Sequence, residues 1–322
     1  MWVNTGMKKR FLIVGDNHLD SKSPQSRIDN FLESSLMELQ ETLKIAKAVQ
    51  ADYYIMLGDV FDRIEVGGAC RNRVLETLLS EEGSPWPFEK YVVVGNHDIA
   101  HNSLYLEKSA LGTLINAGAV KCVDRIEELS VRFLHFDSTL DERLRNSELS
   151  SCQEKIFFCH ASIVDKPCMF DHVLFSDLQL NKSAKLVVSG HIHAPMESEH
   201  QGVKFFNPGS LGRTKINERH SPQVLLVQYD YETDTFQNKY LKLKSALSHD
   251  VIFDIDKNNS RKNQNKNMEL FLESVTHVSF EENISGDLEN DLRVFASKRN
   301  VKKSIVDLAI EAINIKKSGG TL

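Results

Sequence analysis

Five short apolar runs each break off into aspartate, asparagine or histidine, and this repetition constrains the fold more than any other feature of the 322 residues. FLIV (Phe11–Val14) enters GDNHLD, YYIML (Tyr53–Leu57) enters GDVFD, and YVVV (Tyr91–Val94) enters GNHD. IFFC (Ile156–Cys159) enters His160, and LVVS (Leu186–Ser189) enters GHIH. Runs rich in β-branched and aromatic residues suit buried strands, and a glycine after such a run lets the chain turn sharply. One such ending is a loop. Five predict a sheet whose strand ends converge on one polar cluster, the place where open α/β folds put their ligands.

Between the first two strands, Leu32, Leu36, Leu39, Leu43 and Ala46 recur at three- and four-residue intervals, which predicts an amphipathic helix over Ile28–Gln50. A second helix near Arg71–Ser80 and the turn-rich GSPWP precede the third strand, so strands alternate with helices and the class is α/β. Further on, strands near Val131–Phe136, Ile156–Cys159, Leu186–Ser189, Val203–Phe206 and Gln223–Tyr229 come with few helices between them, which predicts a second sheet. KNNSRKNQNKN (Lys257–Asn267) holds no apolar side chain and reads as a loop or linker. Beyond it the pattern predicts helix (Met268–Ser274), strand (Thr276–Phe280) and two more helices (Asp287–Lys298, Ser304–Lys316). The expected division is a first domain over residues 1–245 and a smaller α+β capping and helical region over 246–322.

Charge and cysteine content exclude several classes. The net charge of −6 gives no general attraction to nucleic acid or anionic membrane, although a local basic groove is compatible with it. Cys70, Cys122, Cys152, Cys159 and Cys168 form an odd set without a CxxC pair, which argues against a disulfide framework or zinc ribbon and for reduced, intracellular thiols. No apolar run approaches the ~20 residues that span a bilayer, so the expectation is a soluble cytoplasmic protein without membrane contact. Residues 1–6 read as a dispensable leader.

Asp16 and His18 are two apart, as are His191 and His193, and such pairs project to the same side of an extended segment. Asp59 and Asn96 add oxygen donors, and His160 adds an imidazole. Imidazole and hard oxygen without thiolate suit manganese, with iron and zinc as the other candidates, better than calcium. Two such cations ~3.5–4 Å apart across a shared carboxylate form the clamp used on phosphate esters. His97 lies between Asn96 and Asp98 and is not needed as a ligand.

DxH, GD, GNHD, a lone histidine and GHxH occur here in that order over roughly Phe11–Gly212, and the set resembles the calcineurin-like metallophosphoesterases. The resemblance implies a four-layer α/β/β/α sandwich. It also implies one metal on Asp16, His18, Asp59 and His193 and the other on Asp59, Asn96, His160 and His191, with Asp59 bridging. His97 then serves the leaving oxygen, with Asp98 orienting it, during in-line attack on phosphorus. GDNHLD, a long helix and GDVFD look most like the SbcD branch, the bacterial and phage relatives of the meiotic-recombination-eleven nuclease. That likeness implies a homodimer that cleaves DNA as an exonuclease or endonuclease, in repair or recombination, together with an SbcC-type ABC ATPase.

A phosphodiesterase or phosphatase acting on a nucleotide or other small phosphate ester is the alternative, and a chain that ended soon after GHxH would favour it. His101, His135, His172, His200, His220, His249 and His277 match no block and are assigned to the surface or to satisfied core positions. Asp20 and Asp62 fit either support of the ligands or turn and cap roles. Asn207–Gly209 shape a turn before Ser210. Arg213 and Lys215 read as a solvated loop, with contact to a phosphate backbone as the rarer reading. In SIVDLAIEAINIK, Ile305, Leu308, Ala309, Ala312 and Ile315 share one helical face, widened by Val306, Ile310 and Ile313, which suits either closure of the second domain or docking to the ATPase.

Overall fold

The computed structural model describes residues 8–99, 106–146, 148–255 and 288–298, together with 303, 306, 307 and 310. Residues 1–6, His101, His277, the segment 257–267 and the helix and strand expected over 268–280 lie outside the described residues. The chain divides into two compact units, Met1–Phe253 and Asp254–Leu322.

The first unit is built on two mixed sheets. β1 (Lys8–Val14), β2 (Tyr53–Met56) and β5 (Glu89–Val92) are parallel neighbours; β14 (Gln223–Asp230) and β15 (Thr235–Lys242) extend them antiparallel, giving the order β15-β14-β1-β2-β5. The second sheet has six strands, in the spatial order Met196–His200 (β12), Val203–Asn207 (β13), Leu186–Gly190 (β11), Ile156–His160 (β8), Val131–Leu134 (β7) and Arg125–Ile126 (β6). In it β7, β8, β11 and β13 are parallel, and β6 and β12 close the edges antiparallel. Two short ladders, β3/β4 (Ser80–Glu81, Ser84–Pro85) and β9/β10 (Ile163–Val164, Val173–Leu174), complete the set.

Strand periodicity sorts these side chains into layers. Phe11, Ile13, Ile55, Leu57 and Val93 of the first sheet share one buried core with Ile156, Phe158, Leu186, Val188 and Phe206 of the second. Leu12, Val14, Tyr54, Met56, Val92 and Val94 face the other way, toward α1 (Phe31–Ala48), α2 (Gly68–Leu79) and α3 (Ala110–Asn116). Phe157, Cys159, Val187 and Phe205 turn outward from the second sheet toward α4 (Leu140–Arg145). The result is the expected four-layer α/β/β/α sandwich. Because both faces of both sheets are covered, the parallel strands read as continuous apolar runs rather than alternating ones.

α1 begins at Asn30, whose side chain accepts a hydrogen bond from the Glu33 N–H, and it buries Leu36, Leu39, Leu43 and Ala46. Each fully buried leucine of that stripe contributes about 2 kcal/mol. Several short or polar elements were not evident in the sequence, three of them instructive. β12 (MESEH) carries little apolar character, β15 is a polar edge strand, and α3 is a seven-residue helix too short to show periodicity. α5 (His249–Ile252) and Phe253 also belong to the first unit, since Ile252 and Phe253 are buried and Ile28 N–H donates to the Ile252 carbonyl. In the second unit, the helix Leu288–Lys298 buries Leu292 and Ala296, and Val306 and Ile310 are buried as well. Among the described residues no helix is long and apolar enough to cross a membrane.

Arg213 corrects an expectation. It is 2% exposed, donates to the Leu247 carbonyl at 2.6 Å and lies 4.0 Å from Glu38, so it belongs neither to a solvated loop nor to an exposed phosphate contact. Lys215 is exposed. Arg27 holds the same turn by donating to the Arg213 carbonyl at 2.8 Å while it grips Asp29 with two bonds of 2.7 Å.

Burial raises Glu38 to about 7, against the pull of Arg213 and Arg27. The folded chain then keeps this proton to higher pH than the unfolded chain, where the ordinary value is 4.5. The stability the proton contributes is therefore complete below about pH 4.5 and is lost as pH rises through about 7, a change of about 3 kcal/mol. Glu38→Gln removes this titration, so chemical denaturation of the metal-free protein should show the variant gaining on wild type between pH 5 and 8. Parallel pH–stability curves would disprove the assignment.

Candidate metal centre

The apolar runs end where the polar motifs begin, and the carboxyl ends of β1, β2, β5, β8 and β11 deliver their residues to one place. GDNHLD and GDVFD are zipped together by the backbone: Asn17 and His18 N–H both donate to the Asp59 carbonyl (3.0 and 2.9 Å), and Leu19 N–H donates to Val60 (2.9 Å). Asp16 in turn accepts the His191 N–H at 3.0 Å, which joins the first motif to the last. Asp16, His18, Asp59 and His160 are all buried.

Three groups of candidate ligand atoms result among the described residues; His18, Asp62 and His97 form one, and the other two meet around Asp59. In one of those two, His193 Nε2 lies 2.9 Å from His18 Nε2 and 3.6 Å from Asp16 Oδ2. In the other, His160 Nε2 lies 3.0 Å from Asn96 Oδ1 and 3.3 Å from His191 Nδ1, and His191 Nδ1 lies 2.8 Å from Asn96 Oδ1. Asp59 Oδ2 stands between them, 3.7 Å from His18 Nε2 and 3.4 Å from His160 Nε2. The expected metal residues Asp16, His18, Asp59, Asn96, His160, His191 and His193 therefore come together in two sets that share Asp59.

The donor chemistry fits divalent cations. His160 Nδ1 donates to the Leu57 carbonyl at 2.7 Å and His193 Nδ1 to Glu218 Oε1 at 2.5 Å, so each ring turns an Nε2 lone pair inward. Inward-facing nitrogens crowded with two carboxylates and an amide oxygen are an arrangement that a cation resolves. Burial opposes charge on His160, yet Asp59 and Asp16 hold its pKa well above the ordinary value; this is the same negative field that would draw a metal. Burial and the neighbouring His160 push His191 down to about 3, so its ring is neutral and free to ligate.

The backbone is strained at these ligands. His18 (φ 48°), Asp59 (φ 45°) and His191 (φ 79°) occupy the left-handed region, at a cost of about 1–3 kcal/mol each. Gly58 (φ 105°) accounts for the glycine of GD, because a Cβ there would lie 2.5 Å from His160 Nδ1. At Gly95 a Cβ would strike the Asp59 carboxylate.

His97 stands beside both groups. Its N–H donates to Asp59 Oδ1 at 2.9 Å, its ring Nδ1 lies 2.6 Å from the Asp62 carbonyl, and its ring meets His18 edge-on at 4.8 Å. The orienting role expected of Asp98 is corrected by this geometry. Asp98 is 1% exposed and spends Oδ2 on the Gly95 N–H at 2.9 Å, so it braces the GNHD turn while the Asp62 carbonyl orients His97. Burial and the Asp59 charge raise Asp98 to about 7.

Asp62 resolves as a supporting residue, since its Oδ1 also lies 3.2 Å from His18 Nδ1. Asp20 is buried and binds Arg63. Asn207 shapes its turn as expected, accepting from the Gly209 N–H and donating to the Ile192 carbonyl. Glu218 was missed altogether: a lone glutamate 25 residues past His193 carries no local signal. Phe136, which stacks on His191 at 5.9 Å, was missed for the same reason. His135 is a satisfied core histidine, with Nδ1 accepting the Val94 N–H at 3.0 Å and Nε2 3.2 Å from the Val123 carbonyl. His172, His220 and His249 each bond a backbone carbonyl.

No curated protein matches this chain. Among solved structures, an archaeal phosphodiesterase is similar over 72% of this chain and 99% of its own, at 13% identity and a TM-score of 0.38. A dimetal phosphatase from Danio rerio is similar over 73% of this chain and 98% of its own, at 13% identity and a TM-score of 0.41. A putative 5'-nucleotidase from Staphylococcus aureus is similar over 80% of this chain and 58% of its own, at 14% identity and a TM-score of 0.40. The calcineurin-like phosphoesterase family model matches residues 9–195, the stretch that carries both ligand groups, and the chain belongs to that family.

Proposed function

We propose that this protein is a two-metal phosphodiesterase that cleaves DNA, working as a homodimer with an SbcC-type ABC ATPase. The observation that carries the phosphodiester chemistry is the pair of ligand groups sharing Asp59, with His97 hydrogen-bonded to that same carboxylate. Bound there, two divalent cations, with manganese favoured by the donor set, would polarise the ester and activate water. The chain's own residues set the geometry. Asp59 spans the two positions, Asn96 and the imidazoles aim inward, and the Asp62 carbonyl holds Nδ1–H of His97 so that Nε2 can give a proton to the leaving oxygen.

DNA as the substrate is supported by the SbcD-like order of GDNHLD, a long helix and GDVFD, and by the second compact unit that follows the phosphoesterase unit. DNA contacts would come from basic residues such as Lys215 and the Lys257–Lys266 segment. With Arg213 buried, it is removed from that set. The test offers linear duplex DNA, single-stranded DNA and bis-p-nitrophenyl phosphate side by side with manganese, with and without the ATPase. DNA cleavage is expected, with binding that weakens by about 0.9 logarithmic units per decade of salt for each phosphate contacted. Hydrolysis of the small ester alone, with DNA intact even when the ATPase is added, would overturn this reading in favour of a small phosphate-ester substrate.

A further inference from the structure

The geometry points to Glu218 as a positioning residue that sets the metal affinity of the Asp16–His18–His193 position and leaves the Asn96–His160–His191 position untouched. This inference rests on the two-metal reading. Glu218 is 8% exposed and lies on the connection between β13 and β14. Its two oxygens have separate partners: Oε1 takes the Nδ1–H of His193 at 2.5 Å, and Oε2 accepts the N–H groups of Thr214 (2.7 Å) and Lys215 (3.1 Å). The carboxylate therefore fixes both the rotation of the imidazole and the nitrogen that carries its proton, so that Nε2 faces Asp16 and His18.

The opposite position lacks this support. His160 is backed by the neutral Leu57 carbonyl, and none of the bonds that Glu218 makes reaches Asn96, His160 or His191. The connection that carries Glu218 is also anchored independently of it: the Ser210 N–H donates to the His193 carbonyl, Leu211 and Gly212 N–H donate to the Asp16 carbonyl, and His249 Nε2 lies 2.7 Å from the Ile216 carbonyl. The loop can thus persist when the carboxylate is replaced, while the imidazole loses the partner that aims it. Replacing a carboxylate behind a ligating histidine typically costs about 10- to 100-fold in metal affinity.

Manganese titration of four variants tests the selectivity. Asn96→Ala weakens the second position and isolates the first; Asp16→Ala does the reverse. Adding Glu218→Gln to Asn96→Ala should weaken the remaining manganese about 10- to 100-fold. Adding it to Asp16→Ala should leave the remaining affinity within twofold, with the melting temperature of the metal-free protein unchanged. An equal affinity of Asn96→Ala with and without Glu218→Gln overturns the inference while the two-metal reading stands. Equal weakening in both backgrounds also overturns it, because Glu218 would then be a general structural residue. A wild-type protein that binds no manganese overturns both.

Discussion

His97→Ala should lower cleavage of a dinucleotide phosphodiester, whose poor alkoxide leaving group needs a proton, by about 10²- to 10⁴-fold while both equivalents of manganese stay bound. The ring belongs to neither of the two ligand sets that share Asp59. It is tethered through Nδ1 to the Asp62 carbonyl, and only its backbone N–H reaches Asp59. Alanine keeps that N–H, so the bridging carboxylate retains its partner and the metal positions keep their shape. What disappears is an Nε2 able to serve a leaving oxygen. Metal content by mass spectrometry and turnover on the same preparation decide the matter. A variant that loses a metal equivalent would make His97 a ligand, and one that turns over normally would remove it from the reaction.

Asp59→Asn should lose both metals together, each by on the order of a hundredfold or more in affinity, since a shared ligand should cost at least as much as a residue behind one. The two inward imidazoles nearest Asp59, His18 and His160, approach the same oxygen, Oδ2. Asparagine preserves an oxygen to accept the His97 N–H and tolerates the left-handed backbone at φ 45° better than alanine would, so the loop should survive. Its amide nitrogen would replace the bridging oxygen with a donor that repels a cation. Calorimetric titration with manganese should show both steps weakened. A variant that keeps one tight equivalent would show that Asp59 serves a single position.

The convergence of the candidate ligands was legible because each follows an apolar run that suits a buried strand, and five such runs pointing at one end bring their polar residues together. The layers were legible for the same reason. Residues that act through others left no such trace. Glu218 sits in an irregular connection, and its value depends on the chain folding back by 25 residues to meet His193. Asp98 adjoins His97 in sequence and was assigned to it, but adjacent residues in a tight turn need not face each other; the Asp62 carbonyl, 35 residues away, takes that place. Arg213 looked like surface by composition. Its burial depends on Glu38, Arg27 and Leu247, which come from three different parts of the chain.

The long loops that join the first and last motifs have a consequence for synthesis. Asp16 meets the backbone of His191, and His18 meets His193, across 175 residues in each case. Pairings that distant close late, because the entropy of a long loop is lost before its contacts form. A chain emerging from the ribosome carries Asp16, His18 and Asp59 long before His160 of β8 and the histidines that follow β11 exist to complete either group. The candidate site is therefore complete only after both sheets have been made and docked, so an abandoned nascent fragment ending before residue 190 would lack His191 and His193 and with them two of the candidate imidazole ligands.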